Sequence, residues 1–152
     1  MTLDKLRAPA ESEHLIMTSA QSWWDALKVR YAQSDVVFTA AGLDNGASVP
    51  GELFDSVADN LIQNALNKIR GGSAARVEVN FSCGQSPCLH VTDAGAPVPP
   101  VVARSLFDAP VPSKTGLGIG LYQAARQAAK HGYKLALAVN EPGQVRFELA
   151  PV

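Results

Sequence analysis

Between Lys114 and Leu121 the chain reads KTGLGIGL, three glycines alternating with Leu117 and Ile119, and an alanine-rich helical pattern follows at once. Glycine lets the backbone approach a ligand with no Cβ in the way. The free N–H groups and dipole of a helix start attract anions, so this segment could hold phosphate. Two further groups could complete such a site. Asn60, Asn64 and Asn67 recur along one side of a helical pattern over 51–70, with Lys68 at its margin. Asparagine is an odd choice for a merely solvated helix face. Its amide oxygen can ligate Mg²⁺ while its amide nitrogen donates to a phosphate. Asp93 sits in VTDAGAP, where a carboxylate could accept from an exocyclic amine such as that of adenine. The plainer alternatives are a solvated face for the asparagines and an Asx-turn cap for Asp93.

Two familiar phosphate loops are excluded by spacing. A P-loop places Lys-Ser/Thr after its glycines, whereas Lys114-Thr115 precede them. A dinucleotide fingerprint needs a third glycine where Leu121 stands, and a strand before it. The preceding FDAPVPSKT cannot be a buried strand, because its prolines have no N–H for the ladder. Glycines that merely let a helix start close to a sheet remain the structural alternative.

Positioning these groups requires an ordered frame. QSWWDALKVRYAQ (21–33) sets Trp23, Trp24, Leu27 and Tyr31 at helical spacing for a core. DVVFTAA (35–41) reads as a strand and LDNGASVPG (43–51) as a turn-rich connection. Pro50 then suits an early position of the helix 51–70, which stops at Gly71-Gly72 and turns Phe54, Ala58, Leu61, Ile62, Ala65 and Ile69 to the core. ARVEVNFS (75–82) alternates strictly and pairs with PCLHVTD (87–93) across GQSP. Residues 94–115 contain five prolines and predict a long loop with one helical turn around 103–107. A helix over 118–131 and a hairpin of KLALAVN (134–140) with QVRFELA (144–150) close the chain. The fold class is α/β, a two-layer sandwich with a mainly antiparallel sheet.

The whole-chain figures bound the function. The 152 residues carry a net charge of −1, which offers nucleic acid no basic surface. No apolar run reaches the ~20 residues of a membrane span, and the charged N-terminus lacks a secretory core, so a cytoplasmic location is expected. Cys83 and Cys88 read as reduced thiols, since two cysteines alone make no zinc site. Residues 1–20 read as a linker or the end of a preceding dimerisation element, with one domain over 21–152.

In this order the segments resemble the ATP-binding domain of bacterial sensor histidine kinases, of the GHKL superfamily with its Bergerat fold. The likeness covers about residues 35–151. DNLIQNALNK (59–68) resembles the N box, DAGAP (93–97) the first glycine box, SLFDAPVPSK (105–114) the F box and lid, and GLGIGL (116–121) the second glycine box. The resemblance implies Asn64 as Mg²⁺ ligand, with Asn60 supporting metal or phosphate; with Lys68 these form the catalytic group. It implies that Asp93 reads the adenine amine, that Gly95 lets the base approach and that Phe107 anchors the lid. Lys114 would reach the terminal phosphates. Gly116, Gly118 and Gly120 would cradle them, and Asn67, Thr115 and Leu117 would complete the ATP contacts.

Some features depart from the family pattern. Pro97 occupies a usual glycine position. Asn67 replaces a usual basic residue, with Lys68 displaced by one. None of His14, His90 or His131 has the surroundings of a phosphorylated histidine; His90 and His131 read as structural. The resemblance therefore implies a catalytic domain that passes the γ-phosphoryl group of Mg-ATP to a histidine on a separate dimerisation domain, of the same or a partner protein, with a response regulator downstream. The parent protein could be membrane-anchored, though this domain makes no membrane contact itself. Two alternatives stand: a degenerate nucleotide-binding or partner-docking module, and a stand-alone serine kinase of the anti-sigma type.

Overall fold

Every second residue of VEVNFS, CLHVTD and QVRFELA is buried, so each of these strands turns one face to a core and the other outward. The computed structural model describes residues 16–43, 46–70, 72, 76–107 and 117–152. The elements in chain order are β1 (Met17–Ser19), α1 (Ala20–Arg30), β2 (Val36–Ala41), β3 (Ser48–Pro50), α2 (Gly51–Arg70), β4 (Val77–Ser82), β5 (Cys88–Asp93), α3 (Pro100–Ser105), α4 (Leu117–Lys130), β6 (Tyr133–Glu141) and β7 (Gln144–Pro151).

Five strands form one sheet in the order β2-β4-β5-β7-β6. β2 runs parallel to β4 across the α2 crossover, and the remaining pairs are antiparallel. This is the mixed, mainly antiparallel sheet of an α/β sandwich, as the sequence pattern requires. The β6–β7 hairpin turns on Pro142-Gly143, with Gly143 at φ +84°, the conformation that favours glycine after proline in a tight turn.

The core lies between the sheet and α2. Phe54 stands edge-on to Trp23 at 5.3 Å and to Tyr133 at 5.3 Å, and Trp23 meets Phe81 of β4 at 5.1 Å. Such edge-to-face pairs each add about 0.5–1.5 kcal/mol beyond area burial. The buried face of α2 is broader than the sequence suggests. It adds Leu53, Val57 and Leu66, while Ile69 is only partly buried. The cause is cover on two flanks. α1 holds one of them, where Trp23 Nε1 donates to Asp55 at 2.8 Å and the Tyr31 hydroxyl to Asp59 at 2.7 Å. Burial and the hydrogen bond to Asp59 push the Tyr31 hydroxyl above its usual range. α4 packs along the other flank.

Three expectations need correction. Residues 17–19 form a strand, and Ser48–Pro50 pairs with it antiparallel, Met17 opposite Pro50. Pro50 therefore ends β3, and Gly51 opens α2. A three-residue strand shows too few alternations to be read from sequence. A Cβ at Gly51 would lie 2.8 Å from Thr18 Oγ1, so a larger residue there would force the Thr18 side chain to shift. The helical turn after Asp93 begins earlier than expected, at Pro100, which tolerates the first position because its missing N–H has no partner there. Neither cysteine is in a disulfide. Burial, followed by the Glu148 carboxylate, pushes the Cys88 thiol up to about 11.

Candidate functional site

β5 and α2 bring the predicted groups together at one end of the sheet. Alternation along β5 buries Leu89, Val91 and Asp93 on the helix side, leaving Asp93 only 5% exposed. A buried carboxylate needs donors. Asp93 Oδ1 accepts from the Gly95 backbone N–H at 2.9 Å, an Asx-type turn. Lys68 Nζ of α2 donates to Oδ1 at 3.2 Å, to Oδ2 at 3.1 Å and to the Ala96 carbonyl at 3.1 Å. Lys68, expected in the catalytic group, thus spans the carboxylate and the turn behind it.

A narrow slot lies beside this pair. Leu61 and Ala65 of α2, Val91 of β5, Val98 and Phe147 of β7 supply apolar walls, and Asn64, Lys68 and Asp93 the polar ones. Its volume is about 20 Å³, close to the space of a single water. An apolar slot ending in a carboxylate suits a planar base with an exocyclic amine. At this volume the slot is too small for such a base as it stands, and Lys68 is one of the side chains that line it.

The Asn64 Nδ2 atom is buried with no hydrogen-bond partner. An orphaned buried donor costs about 1–3 kcal/mol, which a ligand can recover. Asn64 thus has an unused N–H donor beside the slot, which suits an anionic acceptor such as a phosphate oxygen. Asn60, one turn earlier, donates its amide to the Ser56 carbonyl at 3.0 Å. Asn67 is exposed and accepts from Arg70.

The first turn of α4 meets α2 at Asn60. A Cβ on Gly120 would clash with Asn60 Oδ1, so glycine is what allows the helix start to come this close. Leu117 and Gly118 are the first residues of α4, whose opening N–H groups have no intrahelical partner. Phe107 is half-buried and stands edge-on to Phe147 at 6.2 Å, next to the slot. Lys114, Thr115 and Gly116 lie outside the described residues.

One positioning residue escaped the sequence reading. Asn140 of β6 accepts from the Val98 N–H at 2.7 Å and donates to the Val98 carbonyl at 2.9 Å. With the Gly143 N–H on the Gly95 carbonyl at 3.0 Å, it pins the segment after Asp93 to the terminal hairpin. An asparagine near a hairpin turn reads as turn chemistry, and only the fold reveals the two-bond clamp. Of the three histidines, His90 lies in β5 and His131 follows α4, while His14 lies outside the described residues.

Residues 51–151 match the family model described as histidine kinase-, DNA gyrase B-, and HSP90-like ATPase. The catalytic domain of histidine kinase ThkA superposes with a TM-score of 0.70 at 16% identity, over 91% of this chain and 95% of that one. The mycobacterial sensor histidine kinase MprB gives 0.63 at 19% identity, over 91% and 97%. Full-length ShkA in complex with AMPPNP gives 0.67 at 16% identity, over 96% of this chain and 33% of that one. No curated protein sequence is significantly similar to this chain.

Proposed function

The chain belongs to the histidine kinase-, DNA gyrase B- and HSP90-like ATPases. From that premise we propose that it is the catalytic domain of a two-component sensor histidine kinase, transferring the γ-phosphoryl group of ATP to a histidine on a separate dimerisation domain. A response regulator would then take the phosphoryl group from that histidine. The observation that carries this reading is the slot beside α2, apolar on its walls, closed by the buried Asp93 and flanked by the unsatisfied Asn64 amide.

In this reading the slot binds adenine, whose amine donates to Asp93 in place of Lys68, while Gly95 leaves room for the base. Asn64, with Asn60 beside it, would hold Mg²⁺. The ion would neutralise charge on the terminal phosphates during transfer. The N–H groups opening α4, from Leu117, Gly118 and Gly120 with Gly116 before them, would hold phosphate oxygens through the helix dipole. Lys114 and Thr115 precede this cradle and would reach the terminal phosphates, and Phe107 would anchor the lid against Phe147. The protein's contribution to phosphoryl transfer is then positioning and charge. That ShkA, similar in fold, forms a complex with AMPPNP supports a triphosphate as ligand.

Calorimetric titration with Mg²⁺ and AMPPNP is expected to give one nucleotide per chain. Asp93→Asn should weaken it about 10- to 150-fold, the equivalent of the ~1.5–3 kcal/mol of a hydrogen bond to a charged acceptor. Equal affinity in the variant would remove the adenine assignment. Phosphate passed from ATP to a supplied dimerisation domain would establish the transfer itself. The seating of Lys68 on Asp93 favours one second reading, a partner-docking module that never opens the slot. Absence of both AMPPNP binding and transfer would select it.

A further inference from the structure

The outward face of the same sheet carries a different cluster. Cys88 and His90 stand two residues apart on β5, on the side opposite Leu89 and Val91. His90 is the direct cross-strand partner of Glu148 on β7. Cys88 Sγ lies 3.7 Å from His90 Nε2 and 3.6 Å from Glu148 Oε2, and His90 Nε2 lies 3.0 Å from that same oxygen. Among the described residues this is where three metal-capable side chains converge, and all three are half-buried.

These separations match a coordination polyhedron. Tetrahedral zinc with usual bond lengths to sulfur, nitrogen and oxygen sets its ligand atoms about 3.6 Å apart for S···N and S···O and about 3.3 Å for N···O. The observed triangle departs from those edges by only a few tenths of an ångström. The strands fix the positions. β5 is flanked by β4 and β7, so its outward side chains are held by ladders on both sides.

We propose that Cys88, His90 and Glu148 form a site for a divalent cation of the zinc class, with water at the fourth position. Soft thiolate and borderline imidazole together select zinc over Mg²⁺, which demands an octahedron of oxygens. Binding replaces the Cys88 S–H bond with a metal–sulfur bond and releases the proton to solvent. The site is independent of the nucleotide slot. It lies on the other face of β5 and uses none of the residues that line the slot.

The test uses the full chain, stripped of metal and free of nucleotide, titrated with Zn²⁺ by calorimetry and with Co²⁺ by absorbance. One Zn²⁺ per chain is expected, with a near-ultraviolet thiolate-to-cobalt band. Cys88→Ser should abolish the band. Cys88→Ser and His90→Gln should each weaken zinc by more than the about 10- to 100-fold lost with an outer partner of a metal ligand. Glu148→Gln, nearly isosteric, should weaken it too while leaving the metal-free Tm unchanged. A His14→Ala/His131→Ala double variant should bind as the parent does. The proposal is overturned by zinc affinity unchanged in Cys88→Ser or Glu148→Gln, by loss of binding in the double variant, or by an absent cobalt–thiolate band.

Discussion

Replacing Lys68 by Met tests whether its ammonium obstructs the nucleotide or assists it. Methionine keeps most of the apolar stem and removes the charge. Lys68 donates to both oxygens of Asp93 and to the Ala96 carbonyl, from a side chain only 25% exposed. On the proposed reading, a base entering the slot displaces Lys68 from these contacts as its amine takes the carboxylate. Hydrogen bonds to a charged group carry about 1.5–3 kcal/mol, so removing the competitor should tighten Mg-AMPPNP about 10- to 150-fold. The nucleotide-free variant should also lose stability, because Asp93 keeps only the Gly95 N–H as donor. Breaking a fully buried pair costs about 3–5 kcal/mol, and the partial exposure of Lys68 brings this loss below that range. The nucleotide-induced rise in Tm should therefore exceed the parent's. Calorimetry with a thermal scan, each with and without nucleotide, measures both. Unchanged or weaker binding in Lys68→Met would refute the reasoning, since it would mean that the ammonium serves the phosphates or never stood in the way.

Two further outcomes follow from the α2–α4 contact and the orphaned amide. Gly120→Ala gains about 1 kcal/mol of helix propensity, but its Cβ makes the Asn60 amide swing aside from the Ser56 carbonyl, which offsets about 0.5–1.5 kcal/mol of that gain. It should raise Tm more in an Asn60→Ala background than in the parent, and equal shifts in both backgrounds would refute the contact. Asn64→Ala removes a buried Nδ2 that has no partner, so urea unfolding should show a change within about 1 kcal/mol. Mg²⁺-dependent AMPPNP affinity should meanwhile fall at least tenfold, and a loss of stability without a loss of affinity would assign Asn64 to packing.

Long periodic elements were legible in the sequence because their burial is periodic. α2 occupies the residues its pattern marks, and β4, β5 and β7 alternate as written. β1 and β3 were not, because three residues carry no period and their pairing joins Ser48–Pro50 to a segment about thirty positions earlier. The candidate site was written in residue types: asparagines, an acid at a strand end, glycines at a helix start. Its connections were not. The Asn140 clamp on Val98 and the Lys68 bridge to Asp93 each join residues more than twenty positions apart through tertiary geometry. The Cys88–His90 pair was visible as two residues on one strand face, but its third member lies on β7, and only the sheet register supplies it.

The one-residue displacement of the basic side chain on α2 has a physical consequence. Each step along a helix turns the side chain by about 100°, so a cation at 68 cannot cover the surface that a cation at 67 would. Asn67 is exposed and tied to Arg70, whereas Lys68 points into the groove between α2 and β5 and pairs with Asp93. On the proposed reading, the shift turns a residue that would attract phosphate into one that would compete with a base. The two roles have opposite signs for nucleotide affinity. They differ in salt dependence as well. An exposed cation facing phosphate loses its attraction as salt screens it, while the pair with the 5% exposed Asp93 is screened far less. If Lys68 obstructs the slot, added salt should weaken AMPPNP binding to a similar degree in the parent and in Lys68→Met. If Lys68 serves the phosphates, the parent should show the steeper dependence. The salt slope thus separates the two roles even where a compensating change elsewhere in the site leaves Kd itself unmoved.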